Sequence, residues 1–177
     1  MNDLPVQLRR ARAGDEISIS SVLLEAFNEY LPQYTPAGFA ATTPSPSEVL
    51  QRMEEGPVWL AMIESDIVGT VSAVLRGEQE LYIRGMAVLP EARGQQIGKL
   101  LFELVEEYAK GNGCTKLVLS TTPFLDRAIR LYERLGFVKT TDGPHDLHGT
   151  PLVTMEKPLD SGLNWKRSWE GGKRFNV

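Results

Sequence analysis

The chain has 177 residues, 42% of them apolar, which suits one ordinary domain with one core and gives no expectation of a second. A formal charge of -4, from 19 Lys and Arg against 23 Asp and Glu, excludes a general polyanion binder, because nucleic-acid affinity comes from neutralising phosphates with many cations. Cys114 is the one cysteine, which excludes an intramolecular disulfide; Met1 to Arg12 carries charges but no apolar h-region, and no apolar run is long enough to cross a membrane, so a cytoplasmic protein without nucleic-acid or membrane partners is expected.

Residues 6–11 read as a first strand, and Gly14-Asp15 as a turn and N-cap for the helix that follows. In that helix Ile19, Val22, Leu23, Ala26, Phe27 and Tyr30 recur at spacings of three and four, and Pro32 ends it. From Pro32 to Pro46 the chain is rich in Pro, Thr, Ala and Gly without a period, and a loop of that length points to binding rather than connection. Ser45-Pro46-Ser47 then opens a second helix as a cap followed by proline, carried by Val49, Leu50 and Met53 to Gly56. Two apolar runs, 58–63 and 67–75, flank Glu64-Ser65-Asp66 and predict a hairpin; 81–89 predicts another strand.

After Pro90 the period becomes helical again. Ile97, Leu100, Leu101, Leu104, Val105 and Tyr108 mark one face, stopped by Gly111-Asn112-Gly113. Residues 116–120 read as a buried strand; Ala128, Leu131, Tyr132 and Leu135 mark a short helix closed by Gly136; 137–140 and 150–157 read as final strands. Cys114 reads as a small buried filler before a strand. The order β-α-α-β-β-β-α-β-α-β-β defines an α/β (α+β) domain with a parallel strand pair at the centre of a mixed sheet.

The sharpest signal is Val88-Leu89-Pro90-Glu91-Ala92-Arg93-Gly94-Gln95-Gln96-Ile97-Gly98-Lys99, where a strand ends, the chain turns through glycine and a helix begins. Free N–H groups of a first helical turn converge on one point, and the helix dipole adds partial positive charge there. Gly94 and Gly98 admit a ligand close to the backbone and Arg93 and Lys99 add cations, so the expected ligand is a pyrophosphate. No Gly-Lys-Ser/Thr ends the loop, which removes the Walker motif, and the glycine spacing of a Rossmann fingerprint is absent.

The loop resembles the coenzyme A loop of the GCN5-related N-acetyltransferases (GNAT), Arg/Gln-Xaa-Xaa-Gly-Xaa-Gly/Ala after a strand ending in Val-Xaa-Pro, matched here by Arg93 to Gly98 with Gln96 in place of the motif's first glycine. About forty residues later, Ala128-Ile129-Arg130-Leu131-Tyr132-Glu133-Arg134-Leu135-Gly136-Phe137 resembles the same family's Ala-Xaa-Xaa-Leu-Tyr-Xaa-Xaa-Xaa-Gly-Phe segment, with Leu125 where the family often has a cofactor-contacting Asn. The resemblance covers residues 7–158 and implies a single domain over 1–159, followed by an extension over 160–177. It further implies a mostly antiparallel sheet of six to seven strands with helices on both faces and a central parallel pair that splays to admit the cofactor. Acetyl-CoA is the implied acyl donor, and the implied acceptor is the amine of a small molecule or of a peptide.

Site residues follow from the same resemblance. Gln95, Gln96 and Ile97 join Arg93, Gly94, Gly98 and Lys99 around the diphosphate; Met86, Ala87 and Val88 pair with pantetheine amides and one N–H steadies the oxyanion; Ser120 or Thr121 supplies a further contact. Tyr132 is the candidate acid that protonates the departing sulfur. The family's glutamate base has Tyr82 in its position here, and Glu80, on the same strand face, is either a base acting directly or through water, or a solvated carboxylate at a strand end. Tyr30 and Tyr82, with His145 and His148 in the loop before the last strand, are candidates for shaping the acceptor pocket; His145 or His148 is either a base or part of a plain polar loop, and without further Cys or His no metal is expected. Net acidity favours a cationic acceptor. Trp165 and Trp169 in the extension, beside four cations, either stack on a nucleotide or pack against the domain or a second subunit of a homodimer. Two rival functions remain: a coenzyme A sensor without turnover, and an acyltransferase using a larger acyl chain.

Overall fold

A computed structural model of the protein describes residues 5–160, so the tryptophan-bearing extension lies outside the described residues. The first half comprises β1 (Val6–Arg10), α1 (Glu16–Asn28), a 3-10 turn at Leu31–Gln33, α2 (Pro36–Thr42), α3 (Pro46–Glu55), and strands β2 (Val58–Ile63), β3 (Asp66–Arg76) and β4 (Glu80–Val88). The second half adds a 3-10 turn at Pro90–Ala92, α4 (Ile97–Gly111), β5 (Lys116–Thr121), α5 (Asp126–Arg134), and β6 (Val138–Thr140), β7 (Asp146–Leu147), β8 (Thr150–Pro151) and β9 (Val153–Pro158).

Seven strands form one sheet in the order β1-β2-β3-β4-β5-β9-β6, and every pairing is antiparallel except β4 with β5. Helices cover both faces. On one side Leu101, Phe102, Val105 and Ala109 of α4 pack with Leu81, Ile83, Leu117, Leu119 and Met155; on the other, Ile19, Val22, Leu23 and Ala26 of α1 and Val49 of α3 pack with Val58, Leu60 and Ala87. No helix among the described residues is long and apolar enough to cross a membrane.

Local chemistry sets the element ends. Ser45 and Glu48 close a reciprocal capping box, with Glu48 Oε2 accepting from the Ser45 amide at 2.7 Å and Pro46 in the first turn, a device worth about 1 kcal/mol. Asp15 stands at the N-cap of α1, yet its carboxylate is spent elsewhere. It accepts from Nη1 and Nη2 of Arg9 at 2.7 and 2.8 Å and from the Arg12 amide at 2.8 Å, which ties β1 to the helix that follows and holds the carboxyl below its ordinary range.

Two expectations are corrected. The stretch from Pro32 to Pro46 is not an open loop but holds the first 3-10 turn and α2, whose cap is Thr35, its hydroxyl accepting from the Gly38 amide. Residues 150–157 are not one strand: Thr150–Pro151 turns back on Asp146–Leu147 as a separate hairpin, and the sheet strand begins at Val153. His148 and Gly149 form that hairpin's turn with φ of 51° and 88°, so His148 occupies the left-handed region that a two-residue primed turn requires.

The decisive irregularity is in β4. Ser72 pairs with Arg84 and Thr70 with Ala87, so two residues, Gly85 and Met86, stand opposite Val71 alone. Gly85 takes φ +59°, a conformation glycine adopts without steric cost. The extra residue reverses the side-chain alternation. Leu81 and Ile83 face α4, but Ala87, at the same parity, faces α1, and Met86 and Val88 turn toward the α4 side.

Candidate active site

Pairing between β4 and β5 runs from Glu80↔Lys116 to Ile83↔Leu119 and stops. Beyond it the bulge carries Arg84–Val88 away, so no strand pairs with that edge on the β5 side, and a cleft of about 1170 Å³ opens there. Met86, Ala87 and Val88 line one wall; Ser120 and Thr121 at the end of β5 line another. Backbone polar groups along such an edge need partners, and an extended ligand with amide groups supplies them.

The start of α4 closes one end. Gln96 is its N-cap with φ +59° and ψ +15°, a left-handed conformation expected of glycine, and no side chain caps the helix. The first intrahelical bond there, from the Leu100 amide to the Gln96 carbonyl at 3.0 Å, leaves the amides of Ile97, Gly98 and Lys99 to a ligand. Gln96 thus keeps the shape of the glycine it replaces. A Cβ at Gly98 would stand 2.9 Å from Leu131 Cδ2, so the end of that leucine side chain would have to shift.

Arg93, Gly94, Gln96, Ile97, Gly98 and Lys99 all border the cleft, while Gln95 lies on a separate shallow depression beside α1. Arg93 is already engaged: its guanidinium pairs with Glu29 at 2.5 Å and donates to the Ala26 carbonyl at 3.3 Å, fastening the loop to the end of α1. Lys99 has a longer pair with Glu103 at 3.7 Å and is otherwise exposed. Three arginines of α5, Arg127, Arg130 and Arg134, line the cleft as well. Sequence reasoning passed over them, although their spacing of three and four is that of one helix face.

Tyr132 lines the cleft from α5, 7% exposed, packed on Phe137 at 5.8 Å between ring centroids. No hydrogen bond within the described residues holds its hydroxyl, and burial, followed by repulsion from Tyr34, pushes the phenol well above its ordinary pKa. Tyr34 is a further residue that sequence reasoning missed. It is buried beside the cleft, edge-on to Phe124 at 4.9 Å and to Phe39 at 5.7 Å, and burial raises its pKa too. Tyr30 stacks on the same Phe124 at 6.3 Å and lines the cleft.

The candidate bases are placed outside. Glu80 sits at the start of β4 opposite Lys116, 3.4 Å from its ammonium, and is absent from the cleft wall. His145 and His148 are exposed and do not reach the cleft; the His145 carbonyl accepts from the Leu152 amide and the His148 carbonyl from the Thr35 hydroxyl, so both act through their backbone. Their neighbours Leu147 and Leu152 line the cleft in their stead. Tyr82 does line it, its ring covered by the Arg76 guanidinium at 3.4 Å. Among the described residues no Asp, Glu or His borders the cleft, whereas seven cations do: Arg52, Arg84, Arg93, Lys99, Arg127, Arg130 and Arg134. The acidic composition of the whole chain therefore misrepresents the cleft, and the expectation of a cationic acceptor loses its basis.

Comparison with known proteins identifies the family and the fold. Residues 23–137 match the family model described as Acetyltransferase (GNAT) family. The chain is 34% identical over 84 residues to Probable N-acetyltransferase camello of Xenopus laevis, a match covering 46% of this chain and 38% of that protein. It is 29% identical over 145 residues to Uncharacterized N-acetyltransferase YjgM of Escherichia coli (strain K12), covering 77% and 86% respectively. The crystal structure of PaiA N-acetyltransferase from Thermoplasma acidophilum in complex with coenzyme A superposes with a TM-score of 0.75 at 17% identity, covering 88% of this chain and 99% of that one, a likeness of fold.

Proposed function

This chain belongs to the acetyltransferase (GNAT) family, and from that premise we propose that it transfers the acetyl group of acetyl-CoA directly to an amine. The observation that carries the reading is the join of three features in one cleft: an unpaired β4 edge, an uncapped α4 start and the buried Tyr132 phenol. Amides of Ile97, Gly98 and Lys99 bind the diphosphate, with Lys99 and the α5 arginines adding charge-assisted contacts. The edge at Arg84–Val88 orients the pantetheine amides and offers an N–H to the carbonyl oxygen that gains charge. When bound, acetyl-CoA supplies an activated thioester. The amine nitrogen bonds to the thioester carbon as the C–S bond breaks; Tyr132 passes its proton to the departing sulfur, which spares the site a free thiolate, and is reprotonated through solvent by the proton that the acylated nitrogen sheds.

Thiol release from acetyl-CoA across a panel of amines tests the reading, and a chain that binds acetyl-CoA but turns over none of them is a sensor instead. Tyr132→Phe removes the hydroxyl while keeping the ring that packs on Phe137. General-acid contributions of about 10²- to 10⁴-fold set the expected fall in kcat, with acetyl-CoA affinity unchanged. Full turnover by that variant removes Tyr132 from the mechanism.

A further inference from the structure

We propose that the acceptor carries a carboxylate beside its amine, as a free amino acid does, and that Arg52 and Arg84 receive that carboxylate at the end of the cleft away from α4. The inference rests on the acetyltransferase reading and names the acceptor class for the same cleft.

Both arginines border the cleft next to the β4 bulge, where the acyl group of the donor is expected. Arg84 precedes Gly85, and a Cβ on Gly85 would lie 3.4 Å from Arg52 Nη1. A carboxylate held there is therefore within one amino acid's length of an amine directed at the β4 edge. Each guanidinium has donors to spare. Arg52 donates once among the described residues, from Nη2 to the Ala41 carbonyl at 3.1 Å, and Arg84 Nε is buried without any partner while its Nη2 pairs with Glu55. Arg52 Nη1 and Nε, without a hydrogen-bond partner among the described residues, are the donors that a bound carboxylate oxygen takes up.

Charge points the same way. Burial, and then the neighbouring Arg84, hold Arg52 below the usual guanidinium range, so the two cations sit close enough to repel. The carboxylates nearest Arg52 do not fill the cleft: Glu48 is committed to the Ser45 cap, and Glu55 to Arg84 from outside the lining. Planar guanidinium forks match a carboxylate in two-point geometry, which the acceptor then completes. Thr35 bonds to Thr150 and to the His148 carbonyl at 3.0 and 2.7 Å, so the aromatic segment carrying Tyr30 and Tyr34 is joined to the β7–β8 hairpin bearing Leu147, and the two flank the acceptor end.

The test is coenzyme A release with matched sets of acceptors, each an amino acid, its carboxamide and its decarboxylated amine. The expected result is kcat/KM at least about tenfold higher for the acid, the scale of one charge-assisted contact. Arg52→Gln and Arg84→Gln collapse the acid-to-amide ratio toward one through KM for the acid, Arg52→Lys restores part of it, and acetyl-CoA binding by calorimetry verifies that each variant is folded. Turnover of amides and amines equal to or better than the acids, or a ratio unmoved by either Gln variant, overturns the carboxylate assignment and leaves the transferase reading standing. Release with no member of the panel, beside intact acetyl-CoA binding, overturns both.

Discussion

Tyr132 and the missing base divide the proton chemistry unequally. Because the Tyr132 pKa is raised in the folded protein, the phenol keeps its proton until the pH climbs past the ordinary tyrosine range, above about 10. As an acid it therefore imposes no falling limb on the rate at lower pH. No carboxylate or imidazole among the described residues borders the cleft, and its cations disfavour a bound ammonium. The acceptor then enters as the free amine. The expected pH profile of kcat/KM rises with slope one toward the acceptor's own amine pKa, and an acceptor of lower pKa moves the limb down by the same amount. A limb fixed in pH across acceptors, measured by thiol release, would reveal an enzymic base that this cleft lining lacks. The sequence made Tyr132 legible as a site candidate through its motif but left Glu80 open between a base and a solvated carboxylate, and Glu80 lies off the cleft wall for a physical reason. Strand alternation places Glu80 and Tyr82 on one face correctly, yet the cleft begins only where β4 leaves β5, beyond Ile83, and at the strand's start Lys116 stands across from Glu80.

At the scale of elements, the α4 start shows how a motif can change residue and keep its shape. A left-handed non-glycine residue costs roughly 1–2 kcal/mol, and Gln96 bears it at φ +59°. Gln96→Gly removes that strain and loosens the unfolded chain by a comparable amount, so stability should move by less than about 1 kcal/mol and acetyl-CoA affinity should hold. Gln96→Val, with a branched side chain unsuited to that region, should destabilise the fold and weaken acetyl-CoA binding together. Denaturant melts and calorimetry on the two variants measure both effects; equal behaviour of Val and Gly would show the loop not to need this conformation. Elements with strong local codes were legible: the Ser45 cap with its proline, the turn at Glu64, the stop at Gly111. Elements without one were not. Pro36-Ala-Gly-Phe-Ala-Ala-Thr is too short and too small-sided to show a helical period, and α2 is held instead by Thr35 and Thr150, 115 residues apart in sequence. The β7–β8 hairpin has two residues per strand, below any alternation a sequence can display.

For the whole molecule, charge is sorted rather than averaged. Among the described residues seven cations line the cleft, which leaves eight Lys and Arg against 21 acidic residues outside it. The total of -4 hides this separation, because composition counts charges without placing them. A cationic cleft in an acidic body concentrates an anionic donor where it must bind and leaves the outer surface unattractive to polyanions. Such a field is screened by salt: the Debye length contracts from about 10 Å at 0.1 M to about 3 Å at 1 M. The KM for acetyl-CoA should therefore rise several-fold over that range while kcat stays level. Joint replacement of Lys99, Arg130 and Arg134 by glutamine should raise KM at low salt and flatten its dependence on salt, since little of the field would remain to be screened. These three side chains are exposed, so the variant retains the core that folds the domain. An unchanged salt slope in the triple variant would mean that backbone amides at the α4 start hold the diphosphate without help from α5.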